Sequence, residues 1–112
     1  MNAVCHLSHN KALKAVADIK SRYPADRTRS ALIPVLHLAQ QEFGGWLSVD
    51  AMQLVADTLS LPYIRVYEVA SFYTMFNLKP VGQYHLQVCT NCSCLIRGSD
   101  KVLEAIKSDL HV

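Results

Sequence analysis

The chain has 112 residues, of which 51% are hydrophobic, and a formal net charge of +2, so it can form the core of one small domain and is not expected to be disordered. Its acidic and basic residues are interspersed, with no cationic run of five, which argues against a nucleic-acid-binding protein. It shows neither an apolar stretch of about 18 residues nor the pattern of a secretory signal, and we therefore expect a soluble protein inside the cell.

Four amphipathic segments in the first two thirds of the chain predict four helices. The apolar spacing favours helices over 11–22, over 29–43, from a Ser48 cap to about residue 59, and over about 63–75. Pro34 is compatible with the second helix only in its first turn. The last segment is rich in β-branched and aromatic residues, but its apolar positions fit a helix better than a strand.

The rest of the chain predicts one strand–loop–helix unit. Residues 77–82 have the composition of a linker, Tyr84–Val88 alternates in the manner of a strand, and Ser99 is expected to cap a helix over Asp100–Leu110. A single strand needs neighbours for its backbone hydrogen bonds. We therefore expect an α+β fold whose further strands come from a longer parent chain or from a second chain.

Three of the four cysteines, Cys89, Cys92 and Cys94, fall within six residues, in the loop between the predicted strand and helix. Clustering of this kind indicates metal or redox chemistry, since a disulfide scaffold spreads its cysteines along the chain. An iron–sulfur cluster usually takes four thiolates, zinc would accept the Cys89-x-x-Cys92 half-site, and the same pair could act as a redox dithiol. The remaining alternative is that these cysteines only pack.

Several sequence blocks resemble one family closely. Residues 36–47, 65–82 and 88–91, with Cys94 and Arg97–Asp100, are similar to the thioredoxin-like [2Fe–2S] subunit of respiratory NADH:quinone oxidoreductase, or complex I. Related subunits occur in NAD-reducing hydrogenases and NAD-dependent formate dehydrogenases. The resemblance covers about residues 11–112. It implies a four-helix bundle at 11–78 and an incomplete thioredoxin-like [2Fe–2S] ferredoxin domain at 79–112, and residues 1–10 are expected to form a mobile N-terminus.

The resemblance also implies which residues bind the cluster. Cys89 and Cys94 match the family's first two [2Fe–2S] ligands, and Thr90 and Arg97 lie in the loop around the cluster. Cys92 stands where the family has a non-ligand residue, and is an additional ligand candidate. The family's second pair of ligands, Cys-x₃-Cys, has no counterpart in this sequence. The chain is therefore interpreted as a truncated member, which we expect to be inactive alone and to bind no stable cluster as a monomer.

The implied function is one-electron exchange between this cluster and a flavin on a partner subunit. FMN and NAD would be held by that flavin-carrying, NADH-binding subunit, and the catalytic groups would not belong to this chain. The implied location is cytoplasmic, or peripheral on the inner face of an energy-transducing membrane, with self-association of the truncated chain as a further expectation. Two alternatives are a non-redox helical assembly module with empty or zinc-loaded cysteines, and a dithiol oxidoreductase that uses Cys89 and Cys92.

Overall fold

The computed structural model describes residues 5–112, with side chains from Lys11 onwards, and its regular structure is helical. Of the predicted mobile terminus at 1–10, the first four residues lie outside the described part, and the first helix begins at Cys5. The elements in chain order are α1 Cys5–Ser21, a 3-10 segment Ala25–Ala31, α2 Leu32–Glu42, α3 Val49–Leu59, α4 Tyr63–Phe72, α5 Cys92–Ile96 and α6 Ser99–Leu110. They form two compact units, which divide after Val81.

The first unit is built around α2, which contacts α1, α3 and α4. The apolar residues at helical spacing form its core, and the largest fully buried side chains are Leu36, Leu47, Leu59 and Val66. Truncating a buried leucine such as Leu36 to alanine typically costs about 2–5 kcal/mol of stability. The predicted arrangement of four helices in this part of the chain is therefore present, and burial of their apolar faces stabilises it.

The start of α2 differs from the predicted helix over 29–43. Residues up to Ala31 form the 3-10 segment, and the α-helix begins at Leu32, so that Pro34 falls in its first turn. An α-helix that began earlier would need a hydrogen bond from the nitrogen of Pro34 to the carbonyl of Ser30. Proline has no N–H to donate, and its position therefore sets this boundary.

The end of α4 also differs from the prediction of a helix over 63–75. The helix stops at Phe72, because Tyr73 adopts an extended conformation with φ −87° and ψ 120°. The following segment is held by Gln40, whose Nε2 donates to the Met75 carbonyl at 3.1 Å and whose Oε1 accepts from the Asn77 N–H at 2.8 Å. These long-range contacts replace the local hydrogen bonds that a longer helix would make.

The strand predicted at Tyr84–Val88 is absent, and with it the predicted α+β class with a strand–loop–helix start. No strand forms anywhere in residues 5–112. The alternating apolar side chains of this segment remain in solvent, with Tyr84 83% and Leu86 58% exposed. A strand requires a hydrogen-bonded neighbour, and the described part of the chain offers none. An alternating pattern is thus insufficient to define a strand by itself.

The second unit consists of α5 packed against α6, joined by a tight turn. Gly98 occupies the left-handed region at φ +94°, which glycine adopts without strain, and its N–H donates to the Leu95 carbonyl at 3.0 Å. Gly98 is also the N-cap of α6. The prediction that Ser99 caps this helix was wrong, since Ser99 is its first residue and its side chain makes no capping bond.

Membrane-spanning segments require long apolar helices. Among the helices that the structure describes, none has the combination of length and apolar character needed to cross a bilayer.

Candidate metal centre

The cysteine cluster lies at the N-terminal end of the second unit, around the five-residue helix α5. Cys89 precedes this helix, Cys92 is its first residue, and Cys94 is its third. Asn91 is the N-cap, and its side-chain oxygen accepts from the Cys92 N–H at 2.8 Å. The Leu95 N–H donates to the Asn91 carbonyl at 2.8 Å. This turn, which sequence reasoning treated as a loop, fixes the spacing of the three thiols.

The turn brings Cys89 and Cys94 close enough that each shifts the pKa of the other, and both residues line one depression in the surface. The pKa of Cys89 is lowered, first by a hydrogen bond from the Asn91 backbone N–H and second by one from the Cys94 thiol. The pKa of Cys94 is raised, because its hydrogen bond to Cys89 and the negative charge on Cys89 both favour the protonated form. Of the two sulfur atoms, Cys89 is therefore the one that loses its proton more readily.

Cys92 is separate from this pair. Its side chain is exposed, and no group of three or more His, Cys, Asp or Glu side chains within the described residues is placed to hold a metal ion. The sulfur that interacts with Cys89 is that of Cys94. The structure therefore gives no support to a zinc site made of all three cysteines, and the Cys89–Cys92 dithiol stays a prediction.

The Cys89–Cys94 pair opens on a depression in the surface of the second unit. The depression is lined by Gln87, Val88, Cys89, Cys94, Arg97, Gly98, Ser99 and Val102. Arg97 is exposed and is one of the residues that line this depression. Thr90 is also exposed but is not part of the lining, and the described structure gives it no side-chain hydrogen bond.

Ser99 is the residue of this depression that sequence reasoning assigned to a different role. It is only 8% exposed, and its Oγ is a buried polar atom without a hydrogen-bond partner among the described residues. A hydroxyl in that state is uncommon in folded proteins, since burial without a partner is costly. The position of Ser99 directly after Gly98 can be read from the sequence. The burial of its side chain cannot, because it depends on how α5 packs on α6.

The chemistry of these donors can be compared with that of a [2Fe–2S] cluster. Each iron of such a cluster takes two protein ligands, commonly two thiolates. Cys89 and Cys94 supply one such pair, close together and with one sulfur biased towards the charged form. Ser99 adds a hydroxyl that lacks a partner. The residues present therefore fit one half of the cluster.

Comparisons with known proteins extend across both units. A family model described as thioredoxin-like [2Fe-2S] ferredoxin matches residues 16–112. The chain is 52% identical over 102 residues to an NADH-quinone oxidoreductase subunit of Rickettsia bellii, covering 91% of this chain and 61% of that protein. The proteins of the same name from Rickettsia conorii and Rickettsia prowazekii are 52% and 49% identical over 102 residues, which covers 91% of this chain and 61% and 58% of theirs. The chain thus spans less than two thirds of the length of these relatives.

Proposed function

Because this chain belongs to the thioredoxin-like [2Fe–2S] ferredoxin family, we propose that it acts in electron transfer as the cluster-binding part of an NADH:quinone oxidoreductase subunit. The relatives named above are subunits of NADH-quinone oxidoreductase. The single observation that supports the proposal most strongly is the pairing of Cys89 with Cys94. The spacing and the contact of these two thiols suit one iron of a [2Fe–2S] cluster.

The proposed roles of the chain's own residues follow from their chemistry. Cys89 and Cys94 hold the iron as thiolates. The Asn91 backbone N–H stabilises the negative charge on Cys89, and the Arg97 guanidinium adds a positive charge at the same depression. A [2Fe–2S] cluster supplies one-electron chemistry when it is bound. The protein contributes ligation, orientation and control of the potential, and none of these residues acts as a catalytic acid or base.

The second iron requires two further thiolates. We propose that they come from protein outside this sequence, either in a longer form of the subunit or in a second copy of the chain. Two copies that each offer Cys89 and Cys94 would complete a four-thiolate set around one cluster. In the complex, the electron partner would be a flavin-carrying subunit that binds FMN and NAD. Attachment to the membrane would then be peripheral, through the other subunits.

Exposed apolar side chains in the first unit support a role within a larger assembly. Phe72 is 78% exposed and Ile64 is 56% exposed, both on α4. Exposed apolar groups of this size commonly mark protein contacts, and this surface is equally consistent with the alternative of an assembly module. Metal content therefore has to decide between the two functions.

The first test is anaerobic reconstitution of the chain with iron and sulfide, followed by visible spectroscopy, iron analysis and native mass spectrometry. We expect a coloured species that contains about one iron per chain and two chains per cluster, since each chain supplies one thiolate pair. Cys89→Ser and Cys94→Ser should each abolish the colour. Cys92→Ser is the matched control, because Cys92 is a cysteine of the same turn that lies outside the pair, and it should retain the colour.

Electron transfer is tested by mixing the reconstituted protein with a flavin-carrying NADH-binding subunit and adding NADH. Bleaching of the visible band that depends on the flavin subunit would support the proposal. A colourless protein that binds zinc stoichiometrically and no iron would contradict it and favour the assembly module. Loss of iron in Cys92→Ser but not in Cys94→Ser would show that the ligand pair is wrongly assigned, and would also contradict it.

A further inference from the structure

The buried hydroxyl of Ser99 has no partner within the described structure, and Ser99 is one of the residues around the depression that also holds Cys89 and Cys94. Its Oγ is inaccessible to solvent and makes no hydrogen bond, and Ser99 lines this depression together with Cys89 and Cys94. Buried polar groups in native proteins are almost always hydrogen-bonded, and an exception calls for an explanation, such as a functional role or a bound water or ion. Among the groups at the depression, the thiolates of Cys89 and Cys94 would be negatively charged acceptors for this proton.

Local geometry explains why the hydroxyl is available. Serine at the beginning of a helix usually turns its oxygen to the free backbone N–H groups as an N-cap. Here Gly98 takes the cap position in the left-handed region, so Ser99 is displaced to the first helical residue and makes no capping bond. The packing of α5 on α6 then buries the side chain at 8% exposure. The Ser99 oxygen therefore does not cap the helix and remains free to bond to another group.

We propose that the Ser99 hydroxyl donates a hydrogen bond to the sulfur of Cys89 or Cys94 when these thiolates hold a metal, and thereby strengthens metal binding and raises the reduction potential of a bound cluster. The inference deepens the proposed function and rests on it for the cluster potential. The metal-binding part can be tested separately. Ser99 is a tuning residue, not a ligand, because a neutral hydroxyl competes poorly with a thiolate for a soft metal ion.

The sign of the effect follows from charge. Reduction adds one negative charge to the cluster and its ligands, so a hydrogen bond to sulfur is stronger in the reduced state and raises the potential. One hydrogen bond of ordinary strength corresponds to roughly a threefold to tenfold change in an equilibrium constant. For a one-electron couple, tenfold is about 59 mV. Removal of the hydroxyl should therefore lower the potential by no more than about that amount.

The deciding experiment is a titration of the reduced, metal-free chain with Cd²⁺, followed by the ultraviolet charge-transfer absorption of thiolate–cadmium bonds. We expect Ser99→Ala to weaken Cd²⁺ binding roughly threefold to tenfold and Ser99→Thr, which keeps the hydroxyl, to restore most of it. The matched control is Ser108→Ala, because Ser108 is an exposed serine in the same helix, and it should bind as the original chain does. Circular dichroism shows whether each variant keeps its helices.

The outcomes separate this inference from the proposed function. A cluster that forms normally, with Cd²⁺ affinity and potential unchanged in Ser99→Ala, would overturn the role of Ser99 and leave the proposed function intact. A Cd²⁺ effect in a chain that takes up no iron under any condition would support Ser99 and contradict a cluster that is shared between two copies of this chain. If the unaltered chain binds no Cd²⁺ through Cys89 and Cys94, both are wrong.

Discussion

Gln40 makes the contact that joins α2 to the segment after α4, and its removal should lower the stability of the first unit. In Gln40→Ala, two hydrogen bonds are lost, at 3.1 Å to the Met75 carbonyl and at 2.8 Å from the Asn77 N–H. The first is exposed, so that water can replace it at a net cost of about 0.5 kcal/mol. The second is partly buried and should cost about 1 to 1.5 kcal/mol. We expect a total loss of about 1.5–2 kcal/mol.

This loss is measurable by urea unfolding followed through Trp46, the single tryptophan of the chain. Trp46 lies between two residues that also bind Asn77, because Asn77 Nδ2 donates to the Gly45 carbonyl at 3.0 Å and the Leu47 N–H donates to the Asn77 carbonyl at 2.7 Å. For a unit of this size, the expected fall in Tm is about 6–16 °C.

The control for this measurement is Gln41→Ala, which removes the same side chain from the adjacent, exposed position of α2. It should change stability by less than about 0.5 kcal/mol. Equal unfolding midpoints for Gln40→Ala and Gln41→Ala would refute the reasoning, since the two differ only in the contacts that Gln40 makes with the segment after α4.

Three further predictions concern the cysteine turn and two helix boundaries. In the metal-free reduced protein, alkylation of Cys89 should begin at lower pH than that of Cys94, because the pKa of Cys89 is lowered and that of Cys94 is raised. Cys94→Ala should shift the Cys89 profile to higher pH, as mapped by mass spectrometry, and a shift to lower pH would contradict this. Gly98→Ala should destabilise the turn between α5 and α6 by about 1–2 kcal/mol, because an alanine at φ +94° is strained even though its Cβ meets no neighbouring atom. Circular dichroism should show reduced helix content, and unchanged helix content would count against this prediction. Ser48→Ala should lower the stability of the first unit by about 1 kcal/mol in urea unfolding through loss of the cap bond at 3.1 Å, whereas no loss would show that the cap is dispensable.

The helices of the first unit could be predicted because their signals are local. Ser48 caps α3, as its residue type indicates. The apolar spacing also identified the faces that are buried, including Leu36 and Val66. The end of α4 could not be predicted in the same way, since it depends on Gln40, which is distant in the sequence.

The strand prediction was wrong for a similar reason, because a strand depends entirely on contacts with another part of the protein. The alternation in Tyr84–Val88 is a local pattern, but a strand exists only through hydrogen bonds to a neighbour. Residues 5–112 form no such neighbour, and the segment remains unpaired. Phe72 illustrates a related limit, since its aromatic side chain favours a core position while the structure leaves it 78% exposed. Propensity alone does not determine what surrounds a residue.

In the candidate site, too, the features that depend on neighbouring residues could be predicted from the sequence, and those that depend on distant residues could not. The spacing of Cys89 and Cys94 is fixed by a turn of a few residues, so the resemblance to a ligand pair could be recognised in the sequence. Their contact then follows from α5 and its Asn91 cap. Ser99 could not be identified as part of the site, because its burial depends on the packing of one helix on another. A half-site of two thiolates is therefore a local property of this chain, whereas a complete cluster depends on which further thiolates meet it. For that reason, the number of chains per cluster is the quantity that connects this structure to its proposed function.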